Sequence, residues 1–195
     1  MSFSEIIPGE TPITDFSELK VEGIRYRREL NEAEATNIAK PMARYLGSRI
    51  TEKEAPMDFS WFCRLHREMF EDVWAWAGRL RRLETTIGIA PEHIEQRLYE
   101  LAGNFPLWTD VPVVERAAML HHKAVQIHPF ENGNGRWSRL LANIWLRLND
   151  EPIALWPGDA LSVESPIRGE YLEAIRAADK GRYGPLVDLH ERFRE

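Results

Sequence analysis

The sequence predicts an all-α domain, a helical bundle of six to eight helices with one short β-hairpin flap. Three observations carry that expectation. Apolar residues recur at helical spacing through most of the chain beyond residue 29, while only the stretch 83–89 alternates with a period of two. The 195 residues are 44% apolar and 29% charged, enough for a packed core in a single domain. One cysteine, Cys63, rules out an internal disulfide, so packing alone must hold the fold.

Residues 1–28 mix Pro8, Gly9, Pro12 and Gly23 with polar residues and read as an irregular arm, with a short helix around Phe16 to Val21. Residues 29–195 read as the helical domain. Its first helix runs from Leu30 to about Leu46, capped by Asn31, stopped by Gly47 and broken or kinked at Pro41. In the next, Asp58 to Trp76, Phe62, Leu65, Met69, Val73 and Trp76 share a face. Leu83, Thr85, Ile87 and Ile89 then alternate with Glu84, Thr86 and Gly88, the strand signal behind the hairpin.

Pro91 suits the first turn of a helix bearing Ile94, Leu98, Leu101 and Ala102. A further helix spans Val114 to Ile127 and must end near His128, because Pro129 disfavours helical geometry before it. The loop His128 to Arg136 follows, and a new helix starts inside its second half. Ser165 to Ala178 and Gly184 to Phe193 complete the bundle.

Composition narrows the function. The net charge of −6 argues against a dedicated nucleic-acid binder, and no stretch approaches the length of a membrane span. The N-terminus lacks the basic start and apolar run of a signal peptide, so a cytoplasmic location is expected.

Chemistry concentrates in the 128–139 segment. Gly133, Asn134 and Gly135 stand where a helix begins, and first-turn amides there have no intrahelical partners and carry partial positive charge. Glycines let such a backbone close around an anion. Arg136 and Arg139 follow on one face with Asn143 and Arg147. Read alone they are a solvated helix face; beside the glycine loop, two guanidinium forks fit a di- or triphosphate. His128, just before the loop, is of the residue type that removes a proton from a hydroxyl near neutral pH. His121 falls on an apolar stripe and reads as a satisfied core histidine; together with His122 and His128 it does not form a recognisable zinc spacing. Cys63 and the tryptophans read as core.

His128-Pro-Phe-Glu-Asn-Gly-Asn-Gly-Arg136, followed by Arg139, resembles the signature H-x-F-x-[D/E]-G-N-G-R-x-x-R of the Fic (filamentation induced by cAMP) family. The stretches GETPI, RRELNEAEATNI, Trp74–Trp76–Gly78 and RGEYLEAIRAAD are similar to the small bacterial Fic proteins called mobile mystery protein B. The resemblance implies a protein adenylyltransferase that moves AMP from ATP to a Ser, Thr or Tyr hydroxyl of a target protein. In it His128 would be the general base, and Gly133, Asn134 and Gly135 the anion hole. Arg136 and Arg139 would hold the outer phosphates. Leu83, Thr85, Ile87 and Ile89 would be the flap that docks an extended target segment by β-augmentation.

The resemblance also implies Mg²⁺ or Mn²⁺, yet the acidic position that holds metal in the family is Asn132 here, a neutral and weaker ligand. Two alternatives follow: a nucleotide-binding regulator with little or no transfer, or transfer of another phosphate-containing group. Glu22, before Gly23, approximates the family's inhibitory glutamate, with Arg139 as its partner; an antitoxin-like inhibitor is the other route to restraint.

Overall fold

We describe residues 16–161 and 163–194 in a computed structural model of the chain. Residues 1–15, with the GETPI stretch, lie outside the described residues. The elements are α1 (Arg27–Leu46), α2 (Phe59–Phe70), α3 (Pro91–Asn104), a 3₁₀ turn (Phe105–Leu107), α4 (Val113–Ile127), α5 (Asn134–Leu148), α6 (Gly158–Leu161), α7 (Pro166–Ala178) and α8 (Gly184–Arg192). The all-helical expectation holds. No helix among the described residues is long and apolar enough to cross a membrane.

α4 and α5 pack along each other at the centre, with α1 and α2 on one side and α7 and α8 on the other. The main core gathers Leu65, Met69, Phe70, Trp74, Phe130, Trp137 and Ile144 from α2, α5 and the connections between them. Trp74, Trp76 and Trp137 are buried, as the apolar stripes required. A second cluster lies between α4, α7 and α8 around Ala118, Tyr171 and Leu186.

Several expected boundaries are corrected. Residues 16–21 form a turn, not a helix, because Leu19 pairs with Trp74 in an antiparallel bridge and Lys20 N donates to Val73 O at 2.8 Å. α1 starts at Arg27 rather than after an Asn31 cap, since the Glu29 carboxylate reaches back to the amides of Arg25 (2.7 Å) and Tyr26 (3.0 Å). It runs unbroken through Pro41. Ties to α2 on both sides hold it there: Asn37 Nδ2 donates to Glu68 O at 3.0 Å, and Arg44 pairs with Glu68.

α2 stops at Phe70, six residues short of the expected end. The chain turns there, with Val73 N and Trp74 N both donating to Phe70 O, and this sends Trp74 and Trp76 inward. Asp58 and Ser165 stand just before α2 and α7 as their caps, accepting from Trp61 N and Arg168 N.

The β-hairpin flap is absent. Residues 83–89 form an irregular strap in which only the neighbouring Leu80 pairs, singly, with Phe130. The alternation survives as exposure without a ladder from Thr85 on: Thr85, Ile87 and Ile89 are half-buried, Glu84, Thr86 and Gly88 are exposed, and Leu83, expected on the inner face, is exposed too. Among the described residues no second strand stands opposite to accept the hydrogen bonds.

Candidate active site

The site is built where α4 ends and α5 begins. His128 terminates α4 in the left-handed region, at φ 52° and ψ 60°, and this abrupt turn separates the two helices. Pro129 and Phe130 then descend into the core. Asn134 closes the loop from inside: its Oδ1 accepts from Phe130 N at 2.9 Å and its Nδ2 donates to Phe130 O at 2.8 Å. Its side chain is therefore spent on the loop, and what it offers an anion is its backbone amide. Gly133 caps α5 at φ 77°, and a Cβ there would stand 2.4 Å from the Phe70 ring, so only glycine fits.

A buried histidine that sequence reasoning did not single out supports this loop. His66 on α2 stacks on Phe130 with ring centroids 3.7 Å apart. Its Nε2 donates to Asn132 O at 3.0 Å, and its Nδ1 accepts from Gly78 N at 3.0 Å. Both nitrogens are committed to a neutral ring, and burial holds its pKa down at about 3. The only sequence signal was a histidine inside an apolar helical stripe.

His128 itself is buried, 7% exposed, and its pKa is lowered to about 4, first by burial and then by the charge of Arg81. A hydrogen bond from the ring to the Val125 backbone opposes that shift. At neutral pH the imidazole is neutral, so one ring nitrogen is a proton acceptor. That is the state a general base requires.

Both motif arginines flank the start of α5, each held by a different partner. Arg136 Nη1 donates to Glu34 Oε2 at 2.7 Å, and its guanidinium carbon lies 4.9 Å above the Phe70 ring. Glu34 is 2% exposed and also accepts from Trp74 Nε1 at 2.7 Å, so α1 fixes the arm of Arg136. Arg139 turns the other way, hydrogen-bonded to Tyr171 of α7. A Cβ added at Gly135 would lie 3.5 Å from Arg139 Nη1, which places this second guanidinium beside the glycine turn. Behind it, Tyr171 Oη meets His121 Nε2 at 3.1 Å, and His121 Nδ1 meets His190 Nε2 at 3.1 Å. His121 is thus the satisfied core histidine its stripe suggested.

Further along α5, Asn143 is not part of a solvated face. It is buried and binds both backbone groups of Ala154, at 2.8 Å and 3.0 Å. Cys63 is half-buried, and burial pushes its thiol up to about 11, which leaves it unreactive. Glu22 is exposed and is not brought to Arg139; the acid that reaches a motif arginine is Glu34, on Arg136.

Asn132 is a poor fit for a divalent cation. Its Oδ1 accepts from Gly133 N at 2.6 Å and faces Arg136 Nη2 at 3.5 Å, so donors and a positive charge surround the oxygen a metal would need. Among the described residues, no group of three or more His, Cys, Asp or Glu side chains could hold a metal ion. A cavity of about 460 Å³ lies beside this site, lined by Ile89, Leu101, Trp108, Lys123, Gln126 and Ile127. It contains no loop residue, and the chemistry belongs to the loop.

The Fic/DOC family model matches residues 56–146, a span from the approach to α2 through most of α5. The chain carries a Fic/DOC domain. Protein adenylyltransferase fic-1 of Caenorhabditis elegans is 32% identical over 117 residues, covering 57% of this chain and 22% of that protein. The chain thus spans less than a quarter of that relative's length.

The solved structure of C. elegans Fic-1 (residues 134–508) matches with a TM-score of 0.64 and 25% identity, covering 89% of this chain and 50% of that one. The N-terminal Fic domain of a Bartonella quintana cell filamentation protein with bound ADP matches with a TM-score of 0.66. At 18% identity it covers 99% of this chain and 94% of that one, and it supports the fold. The Fic motif read in the sequence is the loop between α4 and α5.

Proposed function

We propose that the domain transfers AMP from ATP to a Ser, Thr or Tyr hydroxyl of a target protein. The observation that carries this reading is a neutral, buried imidazole fixed at the end of α4, immediately before a glycine-lined helix start flanked by two guanidinium groups. The naming of the curated relatives as protein adenylyltransferases supports it.

In the reaction, His128 takes the proton of the target hydroxyl as that oxygen attacks the α-phosphorus. The bond to the bridging oxygen breaks, and pyrophosphate leaves. First-turn amides of α5, with Arg136 and Arg139, hold the departing charge. Positioning and charge stabilisation do most of the work in such a displacement. With Asn132 turned toward donors, this site meets phosphate charge through its own cations, and Mg²⁺ or Mn²⁺ contributes weakly.

The test uses the full chain with ATP labelled at the α- or the γ-phosphate, in Mg²⁺, Mn²⁺ or EDTA. α-Label should enter protein, either the chain itself or targets in a lysate. His128→Ala should reduce the rate about 10²–10⁴-fold while ATP affinity is kept. Incorporation of γ-label would replace this reading with phosphoryl transfer. Tight ATP binding with no incorporation would make the domain a nucleotide-binding regulator. Asn132→Asp should raise the dependence of the rate on Mg²⁺.

A further inference from the structure

Of the arginines in the run 79–82, only Arg81 is buried, at 2% exposure. Arg79 pairs with Glu18 at the surface, and Arg82 is exposed. A buried guanidinium demands partners for its donors, and those of Arg81 are backbone carbonyls from three places. Nε donates to His128 O at 2.7 Å, Nη1 to Leu83 O at 2.8 Å, and Nη2 to Ile89 O. The Arg81 amide donates to Pro129 O at 2.9 Å, beside the Leu80–Phe130 bridge. One side chain therefore gathers the carbonyl of His128 and both ends of the strap.

The strap also touches His128 directly. Gly88 has φ 106°, and a Cβ on it would stand 2.5 Å from His128 Cβ and 2.9 Å from Arg81 Nη2. Strap backbone and imidazole stem are in contact, with no room for a methyl group between them.

We propose that Arg81 is a positioning residue that ties the 83–89 strap to His128, so that the strap and the imidazole are placed as one unit. Its planar fork is what allows this. Three carbonyls in fixed directions match a guanidinium, whereas a lysine ammonium on the same stem has no matching spread of donors. The strap is thereby a loop closed at its base, in place of an open β edge. A target laid along it meets a surface already in register with the base.

The catalytic part of this proposal rests on the transfer reading above; the structural part does not. Hydrogen exchange of the full chain, followed by mass spectrometry, tests the structural part. Arg81→Lys should speed exchange of the hydrogen-bonded amides at 81, 128 and 130 about tenfold or more, with α2 and α5 unchanged, because charge-assisted hydrogen bonds to buried carbonyls are lost. Unchanged exchange at those three amides, or a uniform rise across the chain, overturns the proposal.

In the transfer assay, Arg81→Lys should lower kcat about tenfold or more while ATP affinity stays within about twofold of the parent. Arg81→Ala should regain rate with added guanidinium ion at non-denaturing concentration, and not with methylammonium. Equal loss of ATP affinity and kcat, or equal rescue by both ions, overturns the catalytic part. Should the Arg81 variants fail to fold, Gly88→Ala presses the strap off His128 with Arg81 intact. It should give the same local exchange and the same kcat loss, and parent-like values for both would overturn the tie. If the parent transfers no AMP but the exchange pattern is as expected, the tie stands and the transfer reading falls.

Discussion

The motif loop and the strap lie against each other, yet they are held in opposite ways. The loop, 128–134, is closed by its own residues and by a rigid core. Asn134 bonds Phe130 twice, Gly133 fits under Phe70, and His66 stacks beneath. The strap, 83–89, has one internal side-chain bond, Thr85 Oγ1 to Ile87 O at 2.5 Å, and otherwise depends on a guanidinium that precedes it. A segment that carries its own constraints keeps its geometry when its surroundings change. A segment held mainly by one side chain outside it has little more stability than that side chain gives.

Acid should break the contrast most strongly, because titratable support lies under the loop. His66 and His128 have pKa values of about 3 and about 4, against an ordinary 6.5. As pH falls below 6.5, the unfolded chain takes up protons that the folded chain refuses. Stability is therefore full above that value and is lost on the way down to the folded values. Each histidine removes up to about 1.4 kcal/mol per pH unit in its window.

His66 has a geometric reason as well, since protonating Nδ1 would set one N–H against the Gly78 N–H. Thermal unfolding between pH 7 and pH 4 should show a steep fall in Tm. His66→Gln, which has no proton to gain, should flatten the curve even though it lowers Tm at pH 7. A Tm independent of pH over that range would mean that these rings are not buried in neutral form.

Gly133→Ala should have the next largest effect. The substitution adds a left-handed penalty of about 1–2 kcal/mol to overpacking against Phe70 of about 1–3 kcal/mol. Urea unfolding should register about 2–5 kcal/mol of lost stability. Asn134→Ala should follow at about 2 kcal/mol, since it leaves a buried amide and carbonyl of Phe130 without partners. If either change proves as mild as a surface substitution, the loop is less self-contained than its bonds indicate.

How much of this was legible in the sequence follows the same division. The ends of α4 and α5 could be read because local chemistry sets them. Pro129 stops one helix, and Gly133 and Gly135 open the next. Pro91 at the start of α3 and Ser165 before α7 were readable for the same reason.

The hairpin was misread because alternation in 85–89 records which side chains face inward, a property that a strap held by Arg81 shares with a strand, while Leu83 faces out. Nothing local in RLRR says which arginine will be buried. His66 and Glu34 were missed because their partners, Asn132 and Arg136, lie 66 and 102 residues away. Pro41 carried a true local signal for a break, and ties from Asn37 and Arg44 to α2 overrode it. Sequence shows constraints that neighbours impose; those imposed across the fold need coordinates.

The smallest expected effect bears on what the strap is for. Leu83 is a large apolar side chain left 72% exposed at the foot of the strap. Its carbonyl is bound by Arg81, so backbone and side chain have separate roles. Leu83→Ser removes the side chain alone, and stability should change by less than about 0.5 kcal/mol, as at other surface positions. Exchange of the amides at 81, 128 and 130 should also stay at the parent level, because the carbonyl bond to Arg81 is untouched. Self-modification should be unaffected, while modification of a separate target should fall if the exposed side chain is part of its contact surface. A change in that exchange on losing only this side chain would show that apolar contact, and not the guanidinium, sets the position of the strap.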